Sequence, residues 1–126
     1  MEDKINYFAY AGITFDVVGK IKPTLKGSEK KVSIKVSIIV KAVEDFTDVK
    51  ISEIVMRSRI AKFTRPRHIL NYLLVTETNL TLSEVGKITK RDHTSVIHSK
   101  KTIENELSYD KNLQNLISKI REAINN

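Results

Sequence analysis

Apolar residues recur along most of this chain at intervals of three and four, the spacing that lines up one face of an α-helix. The cleanest stripe is the last: Leu113, Ile117, Ile120 and Ile124 predict a helix starting near Asp110. Val96, Ile103 and Leu107 predict another, capped by Asp92. Thr81-Leu82-Ser83-Glu84 has the spacing of a capping box, in which hydroxyl and carboxylate each satisfy the other residue's backbone N–H. It opens a brief helix ending near Ile88. Ile69, Leu70, Leu73 and Leu74 mark the buried face of a helix running to about Thr78. Its start is placed at Pro66, whose missing N–H costs nothing in a first turn. Ile51, Ile54 and Val55 predict a short helix reaching about Arg57.

Upstream the pattern is double. Val32, Ile34, Val36, Ile38 and Val40 alternate with Ser and Lys, a strand signal. Ile34, Ile38, Ile39, Ala42, Val43 and Phe46 also fit a helical stripe, which runs longer and is preferred. Residues 1–31 differ in character: Tyr7, Phe8, Tyr10 and Phe15 cluster there with Gly12, Gly19, Gly27 and Pro23. They read as an irregular or partly disordered extension, with residues 26–31 as a linker. Residues 32–126 read as one all-α domain, without repeats or low-complexity tracts.

Composition narrows the function. The chain has 126 residues, room for one domain, and 40% are hydrophobic, enough for a core. It has no cysteine, which excludes disulfides and thiolate sites. No apolar run nears the roughly 18 residues of a membrane span, and Met1 to Lys4 do not resemble a secretory signal. A soluble cytoplasmic protein is expected. The net charge is +7, and its distribution is uneven. Residues 47–102 hold eleven Lys or Arg against five Asp or Glu, nearly the whole surplus. Such a basic face attracts polyanions, of which nucleic acid is the commonest inside cells.

The helices at Thr81–Ile88 and Asp92–Leu107, joined by a tight turn, have helix-turn-helix spacing. The second opens with Arg91-Asp92-His93-Thr94-Ser95, five hydrogen-bonding residues at the end that meets base edges or phosphates. Before Pro66, and just after it, lie Arg57, Arg59, Lys62, Arg65 and Arg67, with no acid among them. This cationic run suits a clamp on the DNA backbone or a probe of the minor groove. His68, His93 and His98 lack ligand spacing, so no metal site is expected. Nor does any Ser-His-acid set suggest an enzyme.

Residues 33–124 resemble the C-terminal DNA-binding domain of the bacterial replication initiator DnaA. Arg65-Pro66-Arg67 resembles the family's Arg-Pro-Arg, and residues 78–86 resemble its Thr-Asn-x-Ser-Leu-x-Glu-Ile-Gly. Arg91-Asp92-His93-Thr94-Ser95-Val96 resembles its signature Arg-Asp-His-Thr-Thr-Val, and Ile97-His98 with Lys101 and Ile103 continue the register. The resemblance implies a Trp-repressor-like helical fold that binds double-stranded DNA. It implies that Arg59 enters the minor groove and that Asp92, His93, Thr94 and Ser95 enter the major groove. Arg67, His68, Leu82, Ser83, Arg91 and Lys101 would lie along the backbone, joined by Arg57, Lys62, Arg65 and Lys90 from the cationic surface. Chemistry agrees: Asp92 can accept from a cytosine amine, His93 can donate to a purine, and the Thr94 methyl can meet a thymine methyl.

Two departures stand out. Lys87-Ile88-Thr89-Lys90 is one residue shorter than the family's turn and lacks its Phe and Gly-Gly pair, so the turn must be rebuilt. Ser95 replaces the second Thr and loses a methyl. No G-x-x-x-x-G-K-[ST] occurs in these residues, so neither a counterpart of the initiator's ATPase domain nor a nucleotide or other cofactor is expected. The expected role is sequence-specific binding at initiator-box-like sites in replication or its regulation, with replication proteins as possible partners. A transcription regulator or competitor of the host initiator, or an interaction module that has lost DNA, are the alternatives.

Overall fold

The computed structural model describes residues 27–125, with side chains from Ile34 onward. The aromatic cluster of the N-terminal extension lies outside them. The described residues form six helices and no strand: α1 (Gly27–Thr47), α2 (Ile51–Ile54), α3 (Ala61–Glu77), α4 (Leu82–Thr89), α5 (His93–Leu107) and α6 (Lys111–Asn125).

The double pattern upstream resolves as helix, and α1 extends back through residues 27–31, where a linker was expected. Its buried stripe is Val36, Ile39, Val40, Ala42 and Val43. Ile34, Ile38 and Phe46, expected inside, stay exposed at 53%, 40% and 40%. The inward face thus draws on both competing patterns, because α1 must meet α3 and α6 together. The helix stops at Asp48, whose φ of 58° is left-handed, while the Glu44 carboxylate accepts the Ile51 N–H at 2.8 Å.

Two boundaries differ from expectation. α2 is one turn long, which leaves residues 55–60 as an irregular arm. α3 begins at Ala61 rather than Pro66, with the Phe63 and Thr64 N–H groups already bonded to the Ile60 carbonyl. Pro66 therefore lies inside the helix. Its ring removes the donor that the Lys62 carbonyl would have used, and Lys62 is exposed, where water can serve instead.

α3 is the hub. It packs most extensively on α5 and also touches α1, α2 and α4, with Ile69, Leu70, Leu73 and Leu74 fully buried. α6 buries its predicted stripe against α1 and α5. Arg121 bolts α6 to α3, donating to Glu77 at 3.1 Å and to the Tyr72 hydroxyl at 3.0 Å. No described helix is long and apolar enough to cross a membrane.

A candidate nucleic-acid interface

α4 and α5 make the helix-turn-helix, and local chemistry fixes both starts. The capping box at Thr81 is formed as expected: the Glu84 N–H donates to the Thr81 hydroxyl at 3.1 Å, and the Thr81 N–H to the Glu84 carboxylate at 2.8 Å. Asp92 caps α5 by accepting the Ser95 N–H at 2.8 Å. That bond, with the Ser95 hydroxyl, holds the Asp92 carboxyl below the usual carboxylate range.

The rebuilt turn depends on two residues. Lys90 adopts the left-handed conformation, φ 57° and ψ 45°, that a glycine would more readily take. Its N–H and that of Arg91 both reach the Gly86 carbonyl, Arg91 at 2.7 Å. Gly86 allows the chain to close this tightly, since a Cβ there would stand 2.3 Å from the Arg91 carbonyl oxygen. Lys90→Gly is expected to raise stability by about 0.5–1 kcal/mol while weakening polyanion binding, because it relieves strain but removes a charge. Thermal melts beside a DNA titration check it, and a lower melting temperature would contradict the strain.

His93 and Thr94 stand exposed in the first turn of α5, with Ser95 half-buried behind them. Ser95 lines one wall of an open groove of about 870 Å³, together with Arg57, Arg59, Arg67, Lys87, Lys90 and Arg91, with Asp92 the lone acid among its lining residues. A smaller hollow of about 420 Å³ adjoins it, shares Arg67, Arg91, Asp92 and Ser95, and adds His68 and Thr94. The structure thus brings arm and helix tip together. Arg57 and Arg59 are exposed on the arm, and Lys62 is exposed on the first turn of α3 with its ammonium 5.6 Å from the Phe63 ring. Leu82 is half-buried against the core, whereas Ser83 and Lys101 are exposed. Lys62, Arg65, Leu82, Ser83, His93 and Lys101 line neither hollow.

Four expected backbone contacts are put to internal use. Arg65 pairs with Glu106 and, at 3.5 Å, with Asp110, tying α3 to the end of α5. Arg67 is 6% exposed and donates to the carbonyls of Ile54 (2.8 Å), Met56 (2.7 Å) and Ser58 (3.3 Å). Arg91 donates to the carbonyls of Met56 (2.6 Å), Val55 (3.4 Å) and Lys90 (2.8 Å). The reason is common to both: with α2 so short, the arm's carbonyls have no helical partners, and a guanidinium can satisfy several at once.

His68 is the fourth. Its Nδ1 lies 2.7 Å from the Ser99 hydroxyl, which also accepts from the buried Asn71 amide at 3.0 Å. Asn71 Oδ1 is buried without a partner among the described residues. Burial first, then His98 and the Arg67 guanidinium, push the His68 pKa down. A neutral ring fits the relay, with the Ser99 O–H donating to Nδ1. The native state then binds fewer protons than the unfolded chain, so stability is complete above about pH 6.5 and falls as pH drops through that value. Melting temperature is expected to decline below about pH 6.5, and His68→Gln is expected to flatten the decline. A wild-type melt independent of pH between about 5 and 7 would contradict it.

Sequence reasoning missed Lys87 as a groove residue, although it stands three positions before Lys90 in the turn already singled out. It also missed the Ser99–Asn71 pair, which gives no periodic signal.

Comparison with known proteins agrees with this geometry. A family profile described as bacterial dnaA protein helix-turn-helix matches residues 36–103. The chromosomal replication initiator protein DnaA of Methylacidiphilum infernorum is 33% identical over 113 residues, covering 89% of this chain and 25% of that protein. Its namesake in Ehrlichia ruminantium (strain Gardel) is 35% identical over 114 residues, covering 90% and 23%. That of Limosilactobacillus reuteri (strain DSM 20016) is 34% identical over 103 residues, covering 79% and 23%. The chain spans about a quarter of the length of these curated relatives.

Proposed function

The chain belongs to the family of the bacterial DnaA helix-turn-helix, a DNA-binding domain, and on that premise we propose that it reads specific double-stranded sites resembling the initiator's box, in replication initiation or its regulation. The observation that carries this reading is the placement of Asp92 and Ser95, in the same turn as exposed His93 and Thr94, on the wall of the cationic groove, with Thr94 itself on the adjoining hollow. The tip of α5 enters the major groove, whose width of about 12 Å accepts a helix. His93 donates to a purine acceptor, Thr94 meets a thymine methyl, and Asp92 keeps one carboxylate oxygen for a cytosine amine while the other caps the helix. Arg59 extends from the arm into the minor groove. Arg57, Lys87 and Lys90 neutralise phosphates between the two. The protein acts on the nucleoid in the cytoplasm.

Selection of bound duplexes from a random pool tests the reading. One enriched sequence is expected, and His93→Ala or Thr94→Ala is expected to cost about 1–3 kcal/mol at particular bases. Lys87→Ala is expected to weaken all duplexes alike and lower the salt dependence by about one unit. Equal wild-type affinity for the enriched and scrambled duplexes would sink it.

A further inference from the structure

We propose that Arg67 and Arg91 are positioning residues that lock the arm at residues 55–60 to the tip of α5, so that the two elements meet DNA as one rigid reader. The inference rests on the DNA-binding reading above and goes beyond it. Three donors converge on the Met56 carbonyl: Arg67 Nη2 at 2.7 Å, Arg91 Nη2 at 2.6 Å and the Ser58 N–H at 3.0 Å. Arg67 is anchored in α3 and also holds the carbonyl of Ile54, a fully buried residue, at 2.8 Å. Arg91 directly precedes the Asp92 cap and extends across to Val55. The arm is thereby held from both sides, by one arginine from the hub helix and one from the recognition turn.

The acceptors are the informative part. Neither guanidinium is paired with a carboxylate among the described residues; each is held by neutral carbonyls. A carboxylate would cancel the charge, whereas a carbonyl fixes the side chain and leaves its charge in the groove. The arrangement works against burial and repulsion: burial first, then Arg91, pushes the Arg67 pKa down, and burial first, then Arg57, does the same to Arg91. Two cations held on one carbonyl oxygen by several charge-assisted bonds define a distance and not merely an attraction. The spacing between Arg59 on the arm and His93 on the helix follows from that distance. A lysine offers one ammonium on a flexible stem and cannot reproduce the fork that spans Val55 and Met56.

The test uses the full chain, the duplex recovered by selection and a scrambled duplex. Arg91→Lys is expected to keep the salt dependence of binding but to lower the preference for the selected duplex by about tenfold. In an Arg59→Ala background the same change is expected to have little further effect, because the arm no longer has a tip to position. If Arg91 were instead a phosphate contact, Arg91→Lys would keep the preference, Arg91→Met would lower salt dependence by about one unit for every sequence, and effects would add to those of Arg59→Ala; that result overturns the proposal. Should the variants not fold, the unbound wild type decides. Hindered rotation of the Arg67 and Arg91 guanidinium groups by NMR is expected, and freely rotating groups overturn the proposal. Absence of any wild-type preference between the duplexes is a different result and refutes the function reading instead.

Discussion

Alanine at position 86 is expected to lower the melting temperature and to weaken duplex binding beyond what the stability loss explains. The sign runs against helix propensity, which favours Ala over Gly by about 1 kcal/mol in a helix interior. Here the new methyl would sit 2.3 Å from the Arg91 carbonyl oxygen, a backbone atom with no rotamer to swing away. Relief requires the turn to open. Opening it lengthens the 2.7 Å bond from the Arg91 N–H to the Gly86 carbonyl, worth about 1 kcal/mol net, while overpacking a tight site costs about 1–3 kcal/mol. The penalty exceeds the propensity gain, leaving a net loss of about 1–3 kcal/mol. Because the turn aims α5, the surviving folded molecules also present His93 and Thr94 at an altered angle. Calorimetry and DNA titration on the same sample separate the two effects, and a raised melting temperature would show that the turn yields freely.

Ile103→Ala is expected to cost more stability but to leave binding by the folded fraction unchanged. Ile103 is fully buried and lies on the same α5 face as Val96 and Ser99, the face toward α3. Truncating such a side chain removes its transfer free energy and leaves a cavity, together about 2–5 kcal/mol. For a domain of this size the melting temperature should fall on the order of 10–20 °C. The variant keeps every groove residue, so affinity measured well below its melting temperature should match wild type. A loss of affinity without a loss of stability would mean that this layer of the core aims the helix directly.

The contrast between these substitutions parallels what could be read from residues alone. Thr81, Asp92 and the stripe from Leu113 to Ile124 announced their helices because capping and periodicity are local rules, satisfied within one or two turns. The helix-turn-helix followed from them, as did the exposed tip at His93 and Thr94. The start of α3 did not, because Pro66 is a legitimate first-turn residue and the true start at Ala61 depends on Ile60 supplying the first acceptor. The phase of α1 failed for a tertiary reason: its Ile and Val residues serve either pattern, and the packing of α3 and α6 selects the face. The internal bonds of Arg65, Arg67 and Arg91 were not foreseen because cations near a basic loop look interchangeable in a sequence. What separates them is which carbonyls or carboxylates the fold leaves unsatisfied nearby, and no spacing encodes that.

The internal duties of these three arginines also alter how many small cations a polyanion would shed on docking. The formal charge of +7 and the eleven Lys or Arg of residues 47–102 suggest a broad neutralising front. Arg65 has its own acids, and Arg67 and Arg91 aim their donors at main-chain oxygens, so three of the eleven contribute field but few direct bonds. Each phosphate neutralised on a duplex displaces roughly 0.9 of a condensed ion, so the thermodynamic ion release should fall short of what the tally of basic residues implies. Attachment would accordingly tolerate high ionic strength better than the isoelectric point of 9.6 suggests.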